Sequence, residues 1–204
     1  MPALLSRRDR AHALRLARSQ PESLPELNEL TARLKARATE IALADGRVRE
    51  RFEGVRHRAL AVDYREEKGA DGELIRFGDV AIYDYDRDAL VIVSVDAETG
   101  EVVDVREATG SPPITDEERE EAVRIAGGAS GAARTVVRKR AEAVAFPTPS
   151  YAFDAEPERK GHRGCTLYVR AGRGGVAALT VDLSAREVVP EERLPEVLRS
   201  RPAR

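Results

Sequence analysis

The chain carries three His and one Cys. His162 and Cys165 are three residues apart, a workable spacing for two zinc ligands or for a thiol beside the base that deprotonates it. Zinc needs four ligands, or three and a water, and His12 and His57 are remote. A Cys–His nucleophile needs a third group to orient the imidazole and donors for an oxyanion. The sequence marks neither. Cys165 is therefore expected to begin a strand as a small buried apolar group.

Other motifs fall short in the same way. Asp84-x-Asp86-x-Asp88 has the opening spacing of a calcium loop. Its sixth position is Ala89, where the turn needs Gly, and its twelfth is Val95, where a bidentate Glu belongs. A solvated hairpin is the expected outcome. Gly172-Arg-Gly-Gly175 lacks the Gly-Lys-Ser/Thr ending that cradles phosphates, and reads as a hairpin turn. Glu117-Glu118 and Glu120-Glu121 fall at a helix start and on its exposed face, where the macrodipole and solvent account for them. Asp96 and Asp182 stand at strand-to-turn boundaries and are expected to make Asx-type turn bonds. No catalytic residue, metal ligand or cofactor is assigned.

The elements that carry these residues are legible from spacing. Residues 4–18 (LLSRRDRAHALRLAR) predict an amphipathic helix, and Ser19–Ser23 a break. A longer helix is predicted over Leu24–Ala44, with Ser23 as cap, Pro25 in the first turn, and Leu27, Leu30, Leu34, Ala38 and Ile41 on one stripe. Asp45-Gly46 ends it. Strands are predicted at His57–Tyr64, Asp79–Tyr85, Leu90–Val95 and Glu101–Val105, the last two joined at Thr99-Gly100. One helix and one antiparallel sheet can bury each other's apolar faces. After a linker at Gly110–Pro113 the plan returns. Thr115-Asp-Glu-Glu118 is a capping box opening a helix to about Gly127. Strands are then predicted at Val136–Ala145, Cys165–Arg170, Val176–Val181 and Glu187–Val189.

The two halves align. Ile41-Ala42 matches Ile125-Ala126, and Arg56, Ala59 and Ala61 match Arg140, Ala143 and Ala145, at an offset of 84. Tyr83 matches Tyr168. VSVDAETGEVV (93–103) then matches LTVDLSAREVV (179–189), with five identities in eleven positions. The pattern predicts a duplicated unit with small loop insertions. The expected domains are a basic helical arm at residues 1–22, one helix-plus-sheet unit at 23–110, and a second at 111–204 with a basic tail.

The stretch FGDVAIYDYDRDALVIVSVDAETGEVVDVRE, with ALADGRVRERF upstream, resembles the small N-terminal domains of copper amine oxidases. VDAETGEVVDV also resembles the end of PepSY domains. The resemblance covers roughly residues 24–193. It implies an α+β fold of two tandem cystatin-like units, each a helix packed on an antiparallel sheet. In the oxidases the tandem pair does no chemistry and flanks a large catalytic domain, for which 204 residues leave no space. The oxidase quinone arises from a Tyr preceded by Asn and followed by Asp or Glu. Here the single Asn is Asn28, while Tyr83-Asp84 and Tyr85-Asp86 follow Ile82 and Asp84. The oxidase copper needs three His, two of them one residue apart, and His12, His57 and His162 are isolated. No residue of that site carries over.

Composition narrows the function. With 42% hydrophobic and 34% charged residues, the chain reads as soluble and globular. No apolar run approaches the ~18–20 residues of a membrane span. Cys165 alone cannot build a disulfide framework, so a reducing, cytoplasmic setting is expected. Arg outnumbers Lys 30 to 4 along the whole chain, as a GC-rich bacterial genome would produce. Residues 1–18 hold five Arg and one Asp, and Arg199, Arg201 and Arg204 make a basic tail, so the body between is acidic and no general nucleic-acid binder. Ser6-Arg7-Arg8 resembles a twin-arginine export signal, but Arg10, His12, Arg15 and Arg18 interrupt the apolar stretch that should follow.

The expectation is a non-catalytic accessory protein that binds another protein or an extended peptide. It would do so through a sheet edge, a sheet face, or the Pro-containing connection 146–164 with Tyr151 and Phe153. The alternative is a small-molecule or enzymatic cleft between the units, with Arg56 and Arg140, paired by the repeat, as first suspects, set against plain surface charge on matching strands. A third reading docks the arm, through Arg7, Arg8 and Arg15, on an acidic partner, membrane or nucleic acid. A homo-oligomer is left open.

Overall fold

A computed structural model describes residues 24–127, 132–153, 156–170, 176–190 and 193–194. The expected basic arm with Arg7, Arg8 and Arg15, the basic tail, and Gly172–Gly175 lie outside the described residues. The chain divides into two compact units. One is Met1–Tyr83 with Leu90–Ala108; the other is Asp84–Ala89 with Thr109–Arg204.

The first unit opens with α1 (Leu24–Ala44), matching its predicted span. Ala38 of its apolar stripe, and Ala42 next to Ile41, are fully buried. Asp45 ends α1 and also caps a second helix absent from the sequence reading, α2 (Gly46–Phe52). Its carboxylate accepts from the Arg47 N–H at 2.9 Å and holds the Arg47 guanidinium. That bond to the Arg47 side chain, ahead of a smaller opposing effect of burial, keeps the Asp45 carboxyl below its ordinary range. The sequence stretch GRVRERF is too charged to advertise a helix, yet its spacing of four puts Val48 and Phe52 in the core.

Four strands follow: β1 (His57–Lys68), β2 (Leu74–Asp84), β3 (Ala89–Asp96) and β4 (Val102–Ala108), in sheet order β1-β2-β3-β4. β1 and β2 run longer than predicted. The added Arg65–Lys68 are all charged and carry no apolar alternation, while the added Leu74–Gly78 hold Ile75 and Phe77 two apart. They meet at a turn where Gly72 has φ of 80° and Gly69 donates to the Glu73 carbonyl at 2.9 Å. The predicted turn at Thr99-Gly100 forms, with Gly100 at φ 69° donating to the Asp96 carbonyl. Period-two alternation sends Val80, Ile82, Val91, Val93 and Val95 inward, against Ala38, Ala42, Val48 and Phe52.

The second unit opens with the predicted capping box. Thr115 Oγ1 accepts from the Glu118 N–H, and the Glu118 carboxylate accepts from the Thr115 N–H, at the start of α3 (Asp116–Ala126). The predicted strand Val136–Ala145 is corrected. Residues Ala132–Arg138 form a helix, α4, a 3-10 turn follows at Arg140–Glu142, and strand β5 begins only at Val144 and ends at Pro147. The adjacent β-branched Val136 and Val137 suggested a strand. Packing overrides that propensity, because Ala133 and Val136 three residues apart share a buried face, and α4 packs on the sheet. Two more 3-10 turns (Ser150–Phe153 and Pro157–Arg159) lead to β6 (Gly164–Arg170), β7 (Val176–Asp182) and β8 (Glu187–Val188). The sheet order is β5-β6-β7-β8. Cys165 faces Val181 and Leu167 faces Leu179 on the buried face.

The fold is thus α+β, with two four-stranded antiparallel sheets. Among the described residues two helices precede the strands in each unit, where one was expected. Among the described residues no helix is long and apolar enough to cross a membrane.

Candidate functional site

The densest polar chemistry lies in the second unit, around Glu118 and His162. The capping box fixes Glu118 in the first turn of α3. Its carboxylate is fully buried and meets the Arg163 guanidinium, with Arg163 Nη2 donating to Oε2 at 2.8 Å. Tyr85 donates its phenolic O–H to Oε1 at 2.6 Å. Arg163 Nη2 also donates to the carbonyls of Pro112 and Pro113. Burial pushes the Glu118 carboxyl up, but Arg163, Tyr85 and the Thr115 N–H together hold it below its ordinary range. This carboxylate is ionised and surrounded by donors, which suits a structural anchor and not a proton-transferring acid.

Next to it, His162 Nδ1 lies 2.7 Å from Asp182 Oδ2, and Nε2 lies 3.4 Å from Asp88 Oδ2. Asp182 also accepts from Arg159 Nη1 at 3.3 Å and, through Oδ1, from the Ala185 N–H at 2.9 Å. Ser184 donates to Asp88 and accepts from the Arg163 N–H. A carboxylate orienting an imidazole is half of a nucleophile-activating triad. Here, among the described residues, the outer imidazole nitrogen faces a second carboxylate, and Ser184 gives its proton to Asp88.

Cys165 is fully buried at the start of β6. Burial first, and the Glu118 charge second, push its thiol up to about 12. It is therefore held as the thiol at neutral pH, a poor nucleophile as it stands. Asp84 spends Oδ1 on the Asp86 and Arg87 N–H groups, as a turn cap. Among the described residues no group of three or more His, Cys, Asp or Glu is placed to hold a metal. Asp96 and Asp182 make the Asx-type bonds expected of them, Asp96 Oδ1 accepting from the Glu98 and Thr99 N–H groups.

The expected interaction residues scatter. Arg56 and Arg140 are not on strands: Arg56 precedes β1, and Arg140 opens a 3-10 turn. Tyr151 is 47% exposed. Phe153, expected to contact a partner, is buried with Ala152, Val189 and Leu194. The connection 146–164 is less a free loop than a folded cover. Thr148 donates to the Gly164 carbonyl, and its hydroxyl joins a buried ladder with Thr166 and Thr180.

What the sequence did not single out is a surface on β5. Val144 and Phe146 are 54% and 52% exposed. The register pairs Val144 with Tyr168 and Phe146 with Thr166, so these side chains share a face, and Phe146 meets Tyr168 edge-on at 5.8 Å. Val176 lies further along that face, opposite Arg170. The alternation of Val144 and Phe146 was visible, but only the end of the preceding helix fixes which side faces out.

Each unit also carries a groove beside its helices. In the first it is ≈ 620 Å³ and lined by Leu43, Val48, Arg49, Glu53 and His57. In the second it is ≈ 650 Å³ and lined by Arg119, Val123, Arg124, Val137 and Arg140. Glu120, Val123, Arg124 and Gly127 fall on one helical face, the spacing that could have revealed the second groove. No protein-family model matches the chain, and no curated protein matches it significantly.

Proposed function

We propose that the protein is a non-catalytic interaction module of two tandem cystatin-like units, descended from one duplicated ancestor, that binds an extended segment of another protein along β5. The observation that carries this reading is the edge strand itself. Among the described residues β5 pairs with β6 alone in its sheet, and it presents two half-exposed apolar side chains, Val144 and Phe146, beside Tyr168. An added strand would gain main-chain hydrogen bonds along the free edge and side-chain contacts at alternate positions. Pro147 has no N–H to offer, which limits the pairing to a short stretch and protects the edge from self-association. The duplication is supported by the shared order of two helices and four strands, and by Asp96 and Asp182 capping corresponding turns.

The test is selection of peptides from a random displayed library on the whole chain, followed by amide hydrogen exchange with the selected peptides. Sequences with alternating apolar residues should emerge, slow exchange at residues 144–146, and lose affinity for Phe146→Glu. Equal recovery on the Phe146→Glu chain would overturn the reading.

A further inference from the structure

We infer that the groove beside α3 and α4 in the second unit is a separate docking site for an acidic peptide segment of a partner protein. Three guanidiniums, from Arg119, Arg124 and Arg140, line it with Glu120, and Asp116 pairs with Arg119 from outside the lining. Val123 and Val137 contribute apolar wall between them. Arg119 is positioned from both sides, its Nη1 donating to the Arg140 carbonyl at 3.4 Å and its Nε 3.5 Å from Asp116. Arg124 and Arg140 are exposed and make no ion pair among the described residues.

The ligand chemistry follows from this arrangement. Guanidiniums bind carboxylates through paired N–H donors, and the aliphatic wall suits a Leu or Val side chain between two acids. The groove of the first unit provides an internal comparison. At the 84-residue offset, Leu43, Glu53 and His57 stand where Gly127, Val137 and Ala141 line the second. There Arg49 shares the described lining with Glu50 and Glu53, so the cationic excess belongs to one groove and not to the repeat plan. Three cations release few counterions from a nucleic acid, whereas paired carboxylates match the guanidinium donors, which favours a protein partner.

The experiment titrates the full chain into three fluorescein-labelled probes, read by anisotropy: the peptide Glu-Asp-Leu-Glu-Glu-Leu-Asp, the same peptide with every acid replaced by Lys, and a single-stranded RNA decamer. The acidic peptide should bind tightest, weaken with added salt, and lose about tenfold or more in affinity for Arg124→Glu/Arg140→Glu. Arg134→Glu, exposed on α4 but off the groove, should bind as the parent does. Amide NMR shifts of the unsubstituted chain should move within residues 119–127 and 137–141, which locates the site even if the double variant misfolds. Phe146→Glu should leave this binding intact, so failure here and failure of the β5 reading are distinguishable. Equal binding of the Lys peptide, tighter binding of the RNA, or shifts confined elsewhere would each overturn the inference.

Discussion

Glu118 and Arg163 show how a buried charge is made tolerable. Both side chains are withdrawn from water, and the donors and acceptors around them are supplied by Tyr85, Thr115 and two Pro carbonyls. Removing one partner strands the other, so Arg163→Ala is expected to cost about 3–5 kcal/mol in urea denaturation, whereas Glu118→Leu/Arg163→Met should cost clearly less. The pH dependence has a definite sign. The folded-state pKa of Glu118 lies below its ordinary 4.5, so its contribution is complete above that value and drains away as acid titrates the folded carboxylate. Glu118→Gln should flatten the stability profile below pH 4.5, measured by chemical denaturation at stepped pH. Cys165, with its thiol near 12, should resist a thiol reagent at pH 8 in the native protein and react fully once unfolded.

At the scale of elements, sequence and structure agree where a local rule decides the outcome. The apolar stripe gave the span of α1, and Thr-x-x-Glu gave the first turn of α3. Thr115→Ala should therefore cost about 1 kcal/mol, read from the urea midpoint, because the cap also steadies the Glu118 carboxylate. The reading failed where burial decides. α4 looked like a strand until its Val136 found a place on the sheet, and α2 hid among arginines. The polar cluster was equally hidden, since Asp182 meets His162 only through the register that pairs Gly164 with Asp182. Gly164 itself marks a close approach. A Cβ there would lie 2.7 Å from Thr148 Cβ and 2.9 Å from Phe153 Cε2. Gly164→Ala is expected to destabilise by about 1–3 kcal/mol and to loosen the 3-10 cover of the sheet, seen as faster amide exchange at residues 148–153.

For the molecule as a whole, chain order and compact units do not coincide. The turn Asp84–Ala89 connects two strands of the first sheet, yet it belongs to the second unit, where Tyr85 meets Glu118 and Asp88 meets Ser184. A fragment starting at residue 111 forfeits both contacts and is expected to unfold at lower denaturant than the same region within the intact chain. Evolution faces the same obstacle as the experimenter's scissors. Halves that each kept their own turns could be shuffled freely among descendants, like beads restrung in a new order. Here, exchanging the later half for a foreign copy would leave Tyr85 and Asp88 addressing a stranger, so the pair should be inherited as one indivisible piece, diverging in step.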